Sequence, residues 1–168
     1  MESIQAGQLL VAVPGMFDPN FDATVVYLLD TEDGTAGLVL NRPTDIAVAD
    51  VMPLLSGPVA EPAVVFQGGP VALEQGVILG AIGSTVTVID AETAAEAGPG
   101  TIRVFAGYAG WETEQLENEI SSGGWFVLAG TADDVLTPEP LGLWREVFAR
   151  QPGEIHRYRH YPDNPRFN

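Results

Sequence analysis

Covalent and acid–base catalysis need particular side chains, and this sequence lacks most of them. There is no cysteine and no lysine among its 168 residues. Thiol catalysis, cysteine-ligated metals, Schiff-base chemistry and a lysine-bearing phosphate loop are thereby excluded. A Ser–His–Asp system needs an imidazole base. The only histidines, His156 and His160, both fall in the proline-containing C-terminal stretch. Their spacing would place them on one helix face, but Arg157 and Arg159 lie between them and oppose a bound cation. No G-x-S-x-G serine motif and no D-x-D-x-D-G calcium loop occurs. No catalytic residue, cofactor site or metal site is therefore expected.

Four short stretches remain that could bind. In "RVFAGYAGWETEQLENEI" (103–120) a strand over 101–106 is expected to enter a glycine turn and then a helix over roughly 112–122. Gly107-x-x-Gly110 before a helix could offer backbone N–H groups to an anion. However, Glu112, Glu114 and Glu117 would occupy the positive end of that helix and repel phosphate. Tyr108 and Trp111 are left to pack on neighbouring elements, or to face a partner or small ligand together with Gln115. In Asn41-Arg42-Pro43, Arg42 reads as an ion pair fixing a turn, or as a clamp on an anion or backbone carbonyl. Gln67-Gly68-Gly69-Pro70 allows close backbone approach at its glycines and a fixed turn at its proline. Asp18 is placed to close an Asx-turn ahead of Pro19. The 41–43, 67–70 and 108–115 segments each follow a strand and are expected to converge on one surface. An enzyme using carboxylates and Arg42 in that cleft is the alternative.

Charge narrows the partners. The net charge is −16. All but three of the 23 acidic residues, but only Arg42 and Arg103 of the seven arginines, lie within residues 1–144. Nucleic-acid affinity comes mainly from Lys and Arg meeting phosphates, so direct DNA or RNA binding by this body is disfavoured. Only the C-terminal stretch could touch phosphate. Asp30, Glu32 and Asp33 read as a charged hairpin tip beside Gly34. The first residues carry no basic region followed by a long apolar run, and no apolar stretch approaches a membrane span. A cytoplasmic protein with no membrane contact is expected.

These residues need elements to position them. "QLLVAV", "TVVYLLD", "AGLVLN", "AVVFQ", "GVILGAI", "STVTVID", "TIRVFA" and "WFVLAG" read as strands. Asp33-Gly34 supplies a hairpin turn. A short helix is expected over 48–55, capped by Thr44 or Asp45, with helical turns over 91–97. A helix over 138–150 would present Leu141, Trp144, Val147 and Phe148 on one side. Hairpins mix with helical connections, which points to α+β: one compact domain over 1–150 with a twisted, mostly antiparallel or mixed sheet flanked by helices. Residues 151–168 are expected to form an extended C-terminal arm.

"GQLLVAVPGMFDPNFDATVVYLL", "GLVLNRP", "FQGGPV" and "GYAGWETEQLENEI", in this order and spacing, resemble the AlgH/YqgE family of small bacterial proteins over roughly residues 5–150. Two positions depart from the usual pattern: Ala23 and Glu114 stand where relatives often carry Arg and Gly. The resemblance implies a compact α+β fold and a cytosolic protein without established enzymatic activity. One branch of the family has been named as a candidate transcriptional regulator of exopolysaccharide synthesis. The expectation is a non-catalytic binding or regulatory protein that meets a protein partner or a small ligand.

Overall fold

Strand β1 (Gln8–Ala12) has interior on both sides. Leu9 and Val11 enter one core, and Leu10 and Ala12 another. That is why "QLLVAV" is an unbroken apolar run and not an alternating one. In the computed structural model, which describes residues 4–16, 18–55, 57–95 and 100–161, β1 sits between two antiparallel neighbours. These are β2 (Val25–Asp30) and β9 (Trp125–Ala129). Asp33 and Gly34, at φ of 46° and 98°, turn the chain from β2 into β3 (Thr35–Val39).

The remaining strands are β4 (Pro43–Ala47), β5 (Val64–Gln67), β6 (Val71–Ile82), β7 (Thr85–Ile89) and β8 (Thr101–Trp111). Among the described residues the sheet runs β4-β5-β8-β3-β2-β1-β9, and the β6–β7 hairpin branches from β8. β5 and β8 are parallel, with Phe66 opposite Phe105, while the other strand pairs are antiparallel. With several short helices, this is the expected α+β fold with a mixed sheet.

The expected strand over 101–106 is in fact β8, which continues to Trp111. Residues 101–108 pair with β6 and residues 109–111 with β3. The β3 pairing starts at Ala109, two residues after Gly107, which lies at φ 75°. On its N-terminal side Phe105 enters the first core and Val104 a third. Beyond it Tyr108 packs against the first core and Ala109 and Trp111 enter the second. The left-handed residue thus swaps which parity of side chain faces which layer, as a one-residue slip in a strand must. The small-residue segment is strand because β6 pairs with Tyr108 and β3 with Ala109–Trp111.

Five α-helices among the described residues close the layers. α1 (Val48–Val51) and α2 (Ala91–Ala95) bury Val48 and Ala94 in the third core, with Val65, Ile78 and Ile102. α3 (Gln115–Ser121) lays Leu116 on the second core. α4 (Ala132–Val135) and α5 (Leu143–Ala149) contribute Val135, Leu143, Trp144, Val147 and Phe148 to the first. α4 is well anchored: Thr131 and Asp134 form a reciprocal capping box, and Arg150 pairs with Asp134 at 2.6 Å.

Three expectations need correction. α1 is capped by Ala47 without a side-chain bond, because Thr44 and Asp45 belong to β4. Leu141 is 78% exposed, because Pro140–Gly142 is a 3-10 turn and the buried face of α5 starts at Leu143. Of the arm expected over 151–168, residues 162–168 lie outside the described residues, and Gly153–His160 is a 3-10 helix. It packs Ile155 and Tyr158 on the first core, the Tyr158 ring lying 5.5 Å from that of Phe148. No helix among the described residues is long and apolar enough to cross a membrane.

Candidate functional site

Helix α3 begins later than its sequence suggests. Glu114 precedes it at φ 74°, and the Gln115 side chain accepts a hydrogen bond from the Glu112 N–H at 3.1 Å. Only Glu117 therefore occupies the first turn, so the three-glutamate screen expected at this helix start reduces to one. The helix ends at Ser122–Gly124, whose N–H groups return to the carbonyls of Asn118, Glu119 and Ile120.

From this helix Glu119 reaches toward the sheet. Its Oε1 accepts from the indole Nε1 of Trp111 at 3.2 Å and of Trp125 at 3.0 Å. Its Oε2 accepts from Gln115 Nε2 at 3.0 Å. Trp111 ends β8 and Trp125 starts β9, so one carboxylate ties two strand ends to one helix. Phe21 completes a triangle of rings, 5.5 Å from each indole, while the indoles stand 5.9 Å apart. Trp111 thus packs within the protein: it is 5% exposed, and its indole N–H is taken up by Glu119.

Above this cluster lies an open cleft of about 440 Å³. Met16, Phe21 and Trp125 form its apolar wall, and Asp18, Gln115, Asn118, Glu119 and Ser122 its polar side. None of the described lining residues is cationic. Asp18 accepts from the Asn20 N–H at 2.9 Å, closing the expected Asx-turn.

Arg42 supports the far side of this loop. Its guanidinium donates to the Asn20 carbonyl at 2.6 Å and the Asp22 carbonyl at 3.3 Å, so it is a backbone-carbonyl clamp. Burial lowers its pKa, and the nearby Asp22 and Asp18 oppose that fall. Asn41 splices the same region: its side chain accepts from the Val25 N–H at 3.0 Å and donates to the Ala23 carbonyl at 2.8 Å. Pro43 opens β4, and the Gln67 N–H bonds the Arg42 carbonyl at 2.9 Å.

Gly68 and Gly69 serve a different purpose. A Cβ on Gly68 would meet the Gly107 carbonyl, and one on Gly69 would collide with the Tyr108 backbone. The close approach anticipated for a ligand is taken by the protein's own strand β8. Pro70 is exposed beside this crossing. The Tyr108 ring lies over Gly110 and packs toward the first core, whereas the Trp111 indole lies in the second. The segments 41–43, 67–70 and 107–109 thus meet through their backbones. Of the residues singled out in the sequence, Asp18 and Gln115 line the cleft, and Trp111 lies beneath it. Tyr108 lines a separate hollow with Asp30, Glu32 and Asp33. No group of acids or histidines able to hold a metal ion occurs among the described residues.

Sequence reasoning missed Glu119 and Asn118. The available signal was their spacing: Glu119 stands four residues after Gln115, within helix-face reach. It also missed Arg103, the buried cation of the first core. Arg103 is 1% exposed and donates to the carbonyls of Glu61, Val135 and Thr137 at 2.7–3.0 Å. Its guanidinium carbon lies 4.4 Å above the Phe66 ring. Burial depresses its pKa to about 10, which leaves it charged at neutral pH.

Fold and cleft together define a small α+β protein built on a branched mixed sheet, with an acceptor-rich cleft at one end. The chain belongs to the AlgH-like family, whose model matches residues 9–156. A UPF0301 protein of Streptomyces avermitilis is 43% identical, over 96% of this chain and 94% of that one. One from Thermobifida fusca is 39% identical over the same shares. The crystal structure of a Corynebacterium diphtheriae protein superposes with a TM-score of 0.86 at 27% identity, covering 96% of this chain and 95% of that one. The solution structure of the AlgH protein from Pseudomonas aeruginosa gives 0.64 at 27% identity, covering 91% and 99%. None of these names states an activity.

Proposed function

We propose that this AlgH-like protein is a cytosolic binding module without catalysis of its own, which regulates by engaging a protein partner at the cleft beside α3. One observation carries the reading. The carboxylate at the cleft floor, Glu119, already accepts from three side-chain donors. Three of its roughly four acceptor sites hold Trp111, Trp125 and Gln115, so this carboxylate serves as a tie between two strand ends and a helix rather than as a group presented to a substrate. What the cleft offers a visitor is an apolar wall, amide and hydroxyl groups, and negative charge. Those features suit recognition.

The regulatory half of the reading rests on the family resemblance. Any effect on transcription would pass through a protein partner, because a −16 surface repels the DNA backbone. The rival reading, an enzyme working through carboxylates and Arg42, gains nothing from a guanidinium already donating to two main-chain carbonyls.

The test is to fill the cleft without disturbing its floor. Asn118 is exposed on α3 and lines the cleft. Asn118→Trp should leave the melting temperature unchanged and abolish recovery of partners captured from native lysate by the wild-type protein. Equal recovery by both would sink the cleft as the recognition site. Saturable binding of duplex DNA at physiological salt would sink the indirect route to transcription.

A further inference from the structure

Among the described residues the sheet has three outer strands, β4, β9 and β7, and they are not protected alike. β4 begins with Pro43, carries the exposed Asp45 and pairs irregularly with β5. At β9 the Ala129 carbonyl is bonded by Arg150. Proline, charge, irregular pairing and side-chain cover are the usual means of blunting a sheet edge. β7 has none of them. Its sequence, TVTVI, holds no charge, proline or glycine, and among the described residues it pairs, in unbroken register, with β6 alone.

The hairpin geometry identifies the free groups. A two-residue turn, Gly83-Ser84, joins Ile82 and Thr85, which face each other as its closing pair. Closing pairs of such turns are hydrogen-bonded, and the bonding then alternates along the ladder. Thr85, Thr87 and Ile89 therefore point their main-chain groups at β6. Val86 and Val88 point theirs outward. Beside them runs a groove of about 270 Å³ walled by Val86, Val88, Leu79, Gly7, Tyr27 and Leu29. Val88 is 58% exposed at its rim. Each long wall runs into an exposed acid, Asp90 after β7 and Asp30 after Leu29.

We propose that the free edge of β7 receives an extended, basic segment of a partner protein as an added strand. Backbone pairing to Val86 and Val88 would supply the hydrogen bonds, and the groove would take alternate side chains. Charge selects the occupant. Of the two arginines within residues 1–144, Arg103 is buried and Arg42 is bound to its own loop. A Lys- or Arg-flanked strand is drawn to this acidic body. A second copy of the chain would bring another −16 to the seam. This edge is separate from the α3 cleft, so either can fail without the other.

The experiment uses the full chain and a short synthetic peptide of alternating Val and Thr flanked by Lys, with a Glu-flanked twin as control. Binding is read by fluorescence anisotropy and amide hydrogen exchange. The Lys peptide should bind and slow exchange at Val86 and Val88 while leaving the already paired amides of Thr85 and Thr87 unchanged. Val88→Pro removes an outward N–H without removing a β6–β7 bond, and should weaken binding roughly tenfold. Should that variant fold poorly, Val88→Lys keeps the strand and charges its edge, with the same loss expected. No protection at Val86 and Val88, or equal binding of the Glu peptide, overturns the proposal. So does a wild-type dimer that Val88→Lys abolishes, since the occupant is then a second copy.

Discussion

Two regions carry the chain's most distinctive short motifs, and they use them in opposite ways. At the Gly68–Gly69 and Gly107 crossing, main chain packs on main chain and nothing is left for a visitor. At the α3 cleft, side chains meet across a gap and leave about 440 Å³ open. The glycine-rich stretch that most resembles a ligand loop is architecture. The open cleft is lined instead by side chains of a short helix and a turn. Glycine announces close approach without saying whether the approaching group is a substrate or another strand.

That contrast can be broken by mutation. The largest effect is expected at the crossing. Gly69→Ala drives a Cβ into the Tyr108 backbone and should cost about 4 kcal/mol or more, seen as loss of a cooperative thermal transition. A normal melt would mean that the two strands can part cheaply. Next is Arg103→Met, which strands the carbonyls of Glu61, Val135 and Thr137. A loss of about 3 kcal/mol is expected, read as a lower denaturant midpoint at unchanged slope.

The cleft should be more forgiving. Glu119→Gln keeps the shape but sets an amide N–H₂ against donors, since three already point at this carboxylate. A loss of about 1–2 kcal/mol with a change in tryptophan emission is expected. An unchanged spectrum would show that the indoles do not depend on the carboxylate. The smallest effect on stability, within about 0.5 kcal/mol, is expected for Asn118→Trp, which should act on binding alone.

Most strands were legible because the apolar runs are long and β-branched. The end of β8 was not: Gly107-Tyr108-Ala109-Gly110 reads as a turn, and pairing of Tyr108 with β6 and of Ala109–Trp111 with β3 makes it strand. The late start of α5 misled in a similar way, since a 3-10 turn before Leu143 rotates Leu141 out to solvent. Of the residues lining the cleft, Asp18 and Gln115 stand out in the sequence by type and place. Glu119 does not, because with 23 acids in the chain nothing in its neighbours marks one carboxylate as the holder of two indoles. The carbonyl clamp was one of the roles open to Arg42, but its targets lie twenty and more residues away, beyond the reach of local pattern.

Strand β8 has one more consequence. Ile102, Phe105 and Ala109 stand on one continuous backbone yet belong to three different cores. No core can open by itself without pulling on a strand that the other two hold. The domain should therefore lose its structure in a single step, with the β8 amides among the last to exchange with solvent and only through global unfolding. A protein with three small interiors would then behave, under heat or denaturant, as if it had one.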